Sequence, residues 1–147
     1  MARHFLGAPV EGKMTPTLWV HLAPLSVIPL SMLALLKTTG DASLLRYGSL
    51  VAAAFLGAAL WWLVLAVSMT IRNRRQGKLP FALSWWAFVF PIGACSVLAY
   101  RVSELLALEV LPLVASGLTL LALFVWSAAA LGTVRGIRTG AIFAPAL

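Results

Sequence analysis

The stretch SWWAFVFPIGACSVLAY, residues 84–100, carries no charged side chain and has a proline near its centre. Large aromatic residues, from Trp85 to Phe90, precede Pro91, and small residues, including Gly93 and Ala94, follow it. About 20 apolar residues are enough for a helix to cross a bilayer, so this stretch predicts a membrane-spanning helix. A plain membrane anchor needs only apolar bulk. The bulky half, the proline and the slim half therefore indicate a helix shaped for a function.

The composition of the whole chain agrees with a membrane location. The 147 residues are 62% hydrophobic and 10% charged, whereas ordinary soluble domains are about 25% charged. The N-terminal residues 1–13 lack the apolar core of a signal peptide, so we expect the first span to be retained. The sequence predicts an all-α integral membrane protein, a single domain over residues 1–147, with four spans near residues 17–36, 44–71, 81–100 and 111–134.

The basic residues are distributed unevenly between the two ends of these spans. Eight of the eleven precede the first span, fill the second loop or follow the last span: Arg3, Lys13, Arg72, Arg74, Arg75, Lys78, Arg135 and Arg138. The other three are Lys37, Arg46 and Arg101. Because cytoplasmic loops are enriched in Lys and Arg, we predict that both termini and the 72–78 loop are cytoplasmic, in a multi-pass protein of the plasma (inner) membrane.

Several classes of function are disfavoured by the residues present. The net charge of +7 does not predict nucleic-acid binding, because no segment is long enough to build a soluble basic face. The single cysteine, Cys95, cannot form an internal disulfide and belongs to no metal-ligand spacing. No catalytic triad pattern and no glycine-rich phosphate loop is found. We therefore predict a protein that is not an enzyme and that has no metal and no cofactor.

The chain contains two pairs of similar segments in the same order. Residues 17–26, TLWVHLAPLS, and residues 84–93, SWWAFVFPIG, share the spacing W-x4-P. Residues 72–79, RNRRQGKL, and residues 135–142, RGIRTGAI, share R-x2-R-x-G. These pairs predict two copies of a helical hairpin with a period of about 65 residues. Both copies would start and end on the same side of the membrane, as parallel repeats.

The mid-span prolines all fall in the first and third spans, at Pro24, Pro29 and Pro91. A proline within a helix cannot donate to the carbonyl four residues earlier, so Pro24 frees the carbonyl of Val20 and Pro91 frees that of Ala87. Such groups are tolerated at membrane depth only where they are buried in protein or line a wet cavity. We therefore predict that the odd-numbered spans are kinked and form an inner layer, and that the even-numbered spans face lipid.

Three segments together resemble a known transporter family: TPTLWVHLAPLSV (residues 15–27), LPFALSWWAFVFPIGACSVLAY (residues 79–100) and the closing G-x-IF-x-P pattern from Gly140. The family is the tellurite-resistance/dicarboxylate transporters, which include the plant slow-type anion channels and the yeast-type sulfite exporters. The resemblance covers about residues 14–143 and implies the last two of five parallel hairpins around a central pore, helices seven to ten of ten. The chain would then be the C-terminal part of a larger transporter.

The resemblance implies a function and a gate. It implies the passage of small anions, of the C4-dicarboxylate, sulfite, tellurite, chloride or nitrate type. By motif position, Phe90, directly before Pro91, matches the family's gating phenylalanine, and Phe88 is the alternative. Two residues on one helix point about 200° apart, so only one of them can face a pore axis. Without the resemblance, packing would be the favoured role of Phe90, because aromatic residues are common in the cores of helical membrane proteins.

Five further residues are candidates for lining the pore. Gly93 and Ala94 would leave room for a plug or an ion beyond Pro91. His21 is an ionisable group well inside a span, where such groups are often functional, although a hydrogen bond between helices would also explain it. Ser26 and Ser96 could donate to an anion or bond to their own helix. The spans hold no acidic or basic residue well away from their ends, which favours a channel or passive facilitator.

Other assemblies stay open at this stage. The partners of the chain would be membrane lipid, the anion, and either the remaining helices of a full-length transporter, a partner chain or further copies in a homo-oligomer. The alternative function is a non-transporting four-helix membrane subunit that packs against a larger protein, in which the W-x4-P segments serve helix packing alone.

Overall fold

The computed structural model describes residues 15–76 and 83–140. These residues form five α-helices and a short 3-10 helix, and no strand occurs among them. The elements are α1 (Thr15–Val20), α2 (Leu22–Thr38), α3 (Ala42–Arg75), the 3-10 helix (Leu83–Phe88), α4 (Val89–Leu106) and α5 (Leu111–Thr139). Residues 1–14, the part of the second loop that holds Lys78, the first residues of the predicted third span and the end of the G-x-IF-x-P pattern lie outside the described residues.

Four helical segments are long and apolar enough to cross a membrane, which confirms the predicted all-α class and the four spans. They run over Leu18–Thr38, Ala42–Arg75, Leu83–Leu106 and Leu111–Thr139. The second, third and fourth continue past residues 71, 100 and 134, where the sequence predicted them to end. Hydropathy marks only the part of a helix that lies in hydrocarbon. The helical hydrogen bonds continue through the arginines beyond it.

Both W-x4-P segments contain a change of helix geometry. In the first span, α1 ends at Val20, His21 lies in a turn, and α2 begins at Leu22, two residues before Pro24. In the third span, the 3-10 helix, whose bonds reach the third residue rather than the fourth, gives way to α4 just before Pro91. The α2 helix continues through Pro29 without interruption. A bend at Pro29 therefore stays a prediction.

The turns at the far end of the two hairpins are closed by local hydrogen bonds. Asp41 caps α3, because its carboxylate accepts from the backbone N–H groups of Ser43 at 2.8 Å and Leu44 at 3.1 Å. Gly40 precedes this cap with a φ of +71°, a value that favours glycine. At the equivalent turn between α4 and α5, the hydroxyl of Ser103 donates to the carbonyl of Leu108 at 3.1 Å.

The α4 helix is the centre of the bundle. It packs against α2, α3 and α5, and α2 also packs against α3, whereas α3 and α5 hardly touch each other. Five of its side chains are fully buried at helical spacing: Ile92, Cys95, Leu98, Ala99 and Val102. Within the apolar 18-residue window of each span, the residues buried by the rest of the protein amount to 28% and 39% in the first and third spans, and to 22% and 17% in the second and fourth. The odd-numbered spans are thus the more enclosed pair, and α3 and α5 present most of their apolar surface outward.

Gly48 of α3 lies at the contact with α2. A Cβ atom at Gly48 would overlap the side chain of Leu36 and touch that of Leu33 at 3.7 Å. Gly57, nine residues later on the same helix, has open space at the equivalent position. A side chain at Gly48 would therefore require Leu36 to move aside, whereas one at Gly57 would meet nothing.

Candidate functional site

The two phenylalanines before Pro91 have opposite environments. Phe88 is 5% exposed, and its ring packs edge-on against Trp19 at 5.1 Å and against Trp85 at 5.9 Å between ring centres. Phe90 is 64% exposed. The two side chains are two positions apart along the span and point to different sides of it, which accounts for the difference. Only Phe90 is available to act on something outside the four described spans.

Phe90 belongs to an open face of α4. Gly93, Ala94 and Val97 follow it by three, four and seven residues, which is the spacing of one helix face. Gly93 has no atom within 4 Å of the place where a Cβ would stand, and Val97 is 50% exposed. We call these four residues the Phe90 face. It consists of one large ring followed by small side chains and open space.

Ser26 and Ser96, two of the candidates for lining the pore, do not lie on an open face of the described helices. Both are buried between helices. Ser26 donates to the carbonyl of Leu22 on its own helix at 3.0 Å. Ser96 donates to the carbonyl of Ala115 at 2.9 Å, and its oxygen lies 2.7 Å from the Thr119 hydroxyl on α5. Both hydroxyls thus have hydrogen-bond partners within the described helices, and a contact with an anion stays a prediction.

His21 lies in the break of the first span and is exposed. Its ring centre is 5.4 Å from that of Trp62 on α3. The Trp62 indole donates to the carbonyl of Leu18 at 2.9 Å, so a side chain of the second span supports the backbone next to the interruption. Sequence reasoning missed this role of Trp62. His21 stays a candidate for the pathway because its imidazole is not enclosed by the described helices.

In each hairpin, one tryptophan–threonine hydrogen bond joins the two spans. The indole of Trp19 donates to the hydroxyl of Thr70 at 3.0 Å, and the indole of Trp86 donates to that of Thr133 at 3.2 Å. Trp19 and Trp86 are the tryptophans of the two W-x4-P segments. The repeat read from the sequence thus corresponds to a repeated contact, and we call these two bonds the Trp–Thr clamps.

The threonines of the clamps could have been found in the sequence. Each hydroxyl donates in turn to the carbonyl four residues earlier, at 2.7 Å for Thr70 and 2.8 Å for Thr133. Each threonine also stands two residues before the first arginine of R-x2-R-x-G, so the shared pattern is T-x-R-x2-R-x-G. A tryptophan and a threonine, both repeated, at the same end of the two hairpins are the signal for a contact.

The charged residues of the described spans lie near the helix ends. Arg72, Arg74 and Arg75 end α3, and Arg138 lies in the last turn of α5. At the other end, Arg101 and Glu104 form an exposed ion pair at 3.0 Å. Within the described ranges, no three side chains of His, Cys, Asp or Glu come close enough together to hold a metal ion.

Comparison with known proteins identifies the family. Residues 1–134 match SLAC1, the voltage-dependent anion channel family. The chain belongs to this family. The predicted resemblance to the group that includes the slow-type anion channels is thereby confirmed, and the family is one of channels and transporters rather than enzymes.

The curated relatives that match are longer than this chain. Two are "Uncharacterized transporter MJ0576" and "Uncharacterized transporter MJ0762" of Methanocaldococcus jannaschii. Each is 28% identical over 141 residues, which cover 96% of this chain and 41% of the relative. The chain therefore spans about two-fifths of the length of the curated relatives it matches. No solved structure matches it significantly.

Proposed function

We propose that this chain forms part of a transmembrane pathway for small anions and that Phe90 is the gate of that pathway. The observation that carries the proposal is the Phe90 face. A ring that is 64% exposed is followed by small residues on one side of the most enclosed helix of the bundle, in a chain that belongs to an anion channel family.

The position of the Phe90 face favours a pathway over lipid. The spans that present most surface outward are α3 and α5, whereas α4 is enclosed on its other sides by α2, α3 and α5. We propose that α4 keeps this side open because further helices pack around it and complete the enclosure. Because the chain covers 41% of its relatives, we propose that the missing helices, or a partner chain, close the pathway against this face.

The ion attracted to such a pathway would be an anion. The net charge of +7 gives the protein a positive overall field, and pores select ions through lining dipoles, hydrogen-bond donors and electrostatic barriers. His21 is the exposed side chain in the described spans that could donate to an anion at the level of the helix break. C4-dicarboxylates, sulfite, tellurite, chloride and nitrate are the candidates. We place the protein in the plasma (inner) membrane with both termini cytoplasmic.

The test of the proposal restores the missing helices. The chain would replace the matching segment of MJ0576, and anion flux would be measured in liposomes for the chimera and its variants. Phe90→Ala should raise the flux of chloride or nitrate, because it removes the plug. Val97→Ala is the matched control, since it shortens another exposed side chain of the same face without removing a ring, and it should leave flux nearly unchanged.

The 147-residue chain by itself should give no selective flux, because two hairpins do not enclose a pore in this arrangement. Selective flux from the lone chain would show that several copies assemble into a pore of their own. A chimera that inserts and conducts, but responds equally to Phe90→Ala and Val97→Ala, would contradict the gate. A chain that co-purifies with a larger partner and never alters its flux would support the alternative, a non-transporting four-helix subunit.

A further inference from the structure

An apolar groove lies between α3 and α5, the two helices that present most surface outward. Its volume is about 240 Å³. Val67 and Ile71 of α3 form one wall, Phe124 and Val125 of α5 form the other, and the rings of Trp19 and Phe88 form the floor. The groove exists because α3 and α5 hardly touch each other.

The Trp19–Thr70 clamp lies at this groove, and its polar atoms are already hydrogen-bonded. The indole N–H of Trp19 and the hydroxyl of Thr70, which also lines the groove, are bonded to each other at 3.0 Å. The Thr70 hydroxyl donates onward to the carbonyl of Ala66 at 2.7 Å. An apolar cavity of about 150 Å³ already binds benzene and stays dry, so this groove is large enough for a stretch of hydrocarbon chain.

Arg74 is the charged residue that lines the groove. It lies in the last turn of α3, next to Arg72 and Arg75, at the end of the span where hydrophobic residues give way to polar ones. It follows Val67, Thr70 and Ile71 by seven, four and three residues, so it stands on the same helix face as that wall. Among the described residues, the one ion pair joins Arg101 to Glu104, so no described carboxylate pairs with the Arg74 guanidinium.

We propose that the groove binds one anionic phospholipid, with an acyl chain between α3 and α5 and the headgroup phosphate on Arg74. The walls belong to the two spans that present most surface outward, where lipid is the solvent. A guanidinium matches a phosphate in charge and in its hydrogen-bond donors. The choline of a zwitterionic lipid offsets the charge of its phosphate, whereas an anionic lipid keeps a net negative charge, so Arg74 favours the anionic one. Arg74 and the apolar wall of α3 lie on one helix face, an arrangement that suits an amphiphile. The inference is independent of anion passage and of Phe90.

Tryptophan fluorescence offers a direct test, because Trp19 and Trp85 line the groove. The chain would be reconstituted into phosphatidylcholine liposomes that contain a constant fraction of phosphatidylglycerol. Bromine, a contact quencher, would be carried on the acyl chains of either lipid. We expect stronger quenching when phosphatidylglycerol carries the bromine. Tryptophans that face the surrounding lipid contribute a background that is common to all variants.

The charge of the groove is tested with adjacent arginines. Arg74→Gln should remove most of the preference for phosphatidylglycerol, because it removes the guanidinium that would meet the phosphate, and Arg74→Lys, which keeps the charge, should retain part of it. Arg75→Gln removes the same charge one residue away and does not line the groove, so it should keep the preference. Equal losses for Arg74→Gln and Arg75→Gln would show a diffuse surface attraction and would overturn the proposal.

The acyl chain is tested by filling the groove without changing charge. Ala128 lines the groove on α5, so Ala128→Phe should abolish the preference, whereas Ala58→Phe, at an exposed position of α3, should keep it. A preference that survives Ala128→Phe would place the lipid elsewhere and overturn the proposal. If quenching is the same for both brominated lipids and increases as the protein is diluted in the bilayer, a second copy of the chain covers the groove at high protein density. That result would also overturn the proposal.

Discussion

Trp19 and Thr70 are joined by a hydrogen bond of 3.0 Å between the start of the first span and the end of the second. The second hairpin repeats this bond between Trp86 and Thr133. In both hairpins the tryptophan stands five residues before the proline of W-x4-P. The clamp therefore holds the segment in which the helix geometry changes against the straight helix that follows it along the chain.

The clamps should contribute measurably to stability. Thr70→Val keeps the shape of the side chain and removes the acceptor, so we expect a loss of about 0.6 kcal/mol, the average for hydrogen bonds between membrane helices, and at most about 1.7 kcal/mol. Thr133→Val should cost less, because Trp86 is 40% exposed and Trp19 is 4% exposed. The measurement is the free energy of unfolding in detergent. Ser68→Ala is the control, because this exposed hydroxyl bonds only to the Val64 carbonyl of its own helix.

A double-mutant cycle separates the clamp from packing. Trp19→Phe keeps most of the ring volume and removes the indole N–H. If the hydrogen bond is the stabilising contact, the double variant with Thr70→Val should be less destabilised than the sum of the single variants. Strict additivity would mean that Trp19 acts through its ring contact with Phe88 and that the bond to Thr70 is incidental.

Phe88 and Phe90 should differ in their effect on stability as sharply as they do in burial. Removing a packed phenylalanine costs about 3–5 kcal/mol, so Phe88→Ala, which opens a cavity beside Trp19 and Trp85, should lower both expression and melting temperature. Phe90→Ala should change the melting temperature little, since its ring makes few contacts within the chain. The measurement is thermal unfolding of both variants in the same detergent.

The reverse result would be informative. A large loss of stability from Phe90→Ala, with a tolerant Phe88→Ala, would mean that α4 is rotated by about half a turn in the membrane. Phe88 would then be the ring on the open face, and the proposed gate would move to it.

Much of the fold could be predicted from the sequence because lipid leaves few alternatives. A backbone that crosses hydrocarbon must satisfy its own hydrogen bonds, so four apolar stretches predict four helices. The repeat was readable because Trp19 and Trp86 precede Pro24 and Pro91 by the same spacing. The extension of α3 to Arg75 was not predicted, since arginines end the hydropathy signal but do not interrupt helical hydrogen bonds.

The direction of each side chain was harder to predict than the helices. Sequence spacing shows that Phe88 and Phe90 point apart, but which of them is buried depends on how α4 is rotated against α2 and α5. The same is true of Ser26 and Ser96, whose small hydroxyls fit either a helix interface or a wet surface. The Trp–Thr clamps link residues 51 and 47 positions apart, and such a contact follows from the register of the hairpin rather than from either segment alone.

Gly48 should be the glycine of α3 that tolerates substitution least. Gly48→Leu would force Leu36 and Leu33 aside at the α2 interface, and overpacking of this kind costs about 1–3 kcal/mol. Gly57→Leu is the matched control on the same helix, because it has open space and leucine is the better helix former. It should be neutral or slightly stabilising. Equal tolerance at both sites in a denaturation experiment would mean that Leu36 and Leu33 can move aside without cost and that glycine is not required at this interface.

The proposed orientation makes a prediction that needs no flux assay. Cysteines at Gln76, at the end of α3, and at Leu147, which lies outside the described residues, should be shielded from an impermeant thiol reagent added to intact cells. A cysteine at Thr39, in the opposite turn, should react.

The native Cys95 is buried and should give little background, so each cysteine can be added to the otherwise unchanged chain. Thr39 and Gln76 are both exposed and lie at opposite ends of α3, so access to the reagent is the only difference the membrane imposes. Permeabilised cells supply the control, in which all three positions should react.

The physical basis is the bias of eight basic residues to three, since Lys and Arg are retained on the cytoplasmic side. Reaction at Gln76 and protection at Thr39 in intact cells would show that the orientation is the opposite of the one proposed. The Arg74 end of the groove would then lie in the outer leaflet.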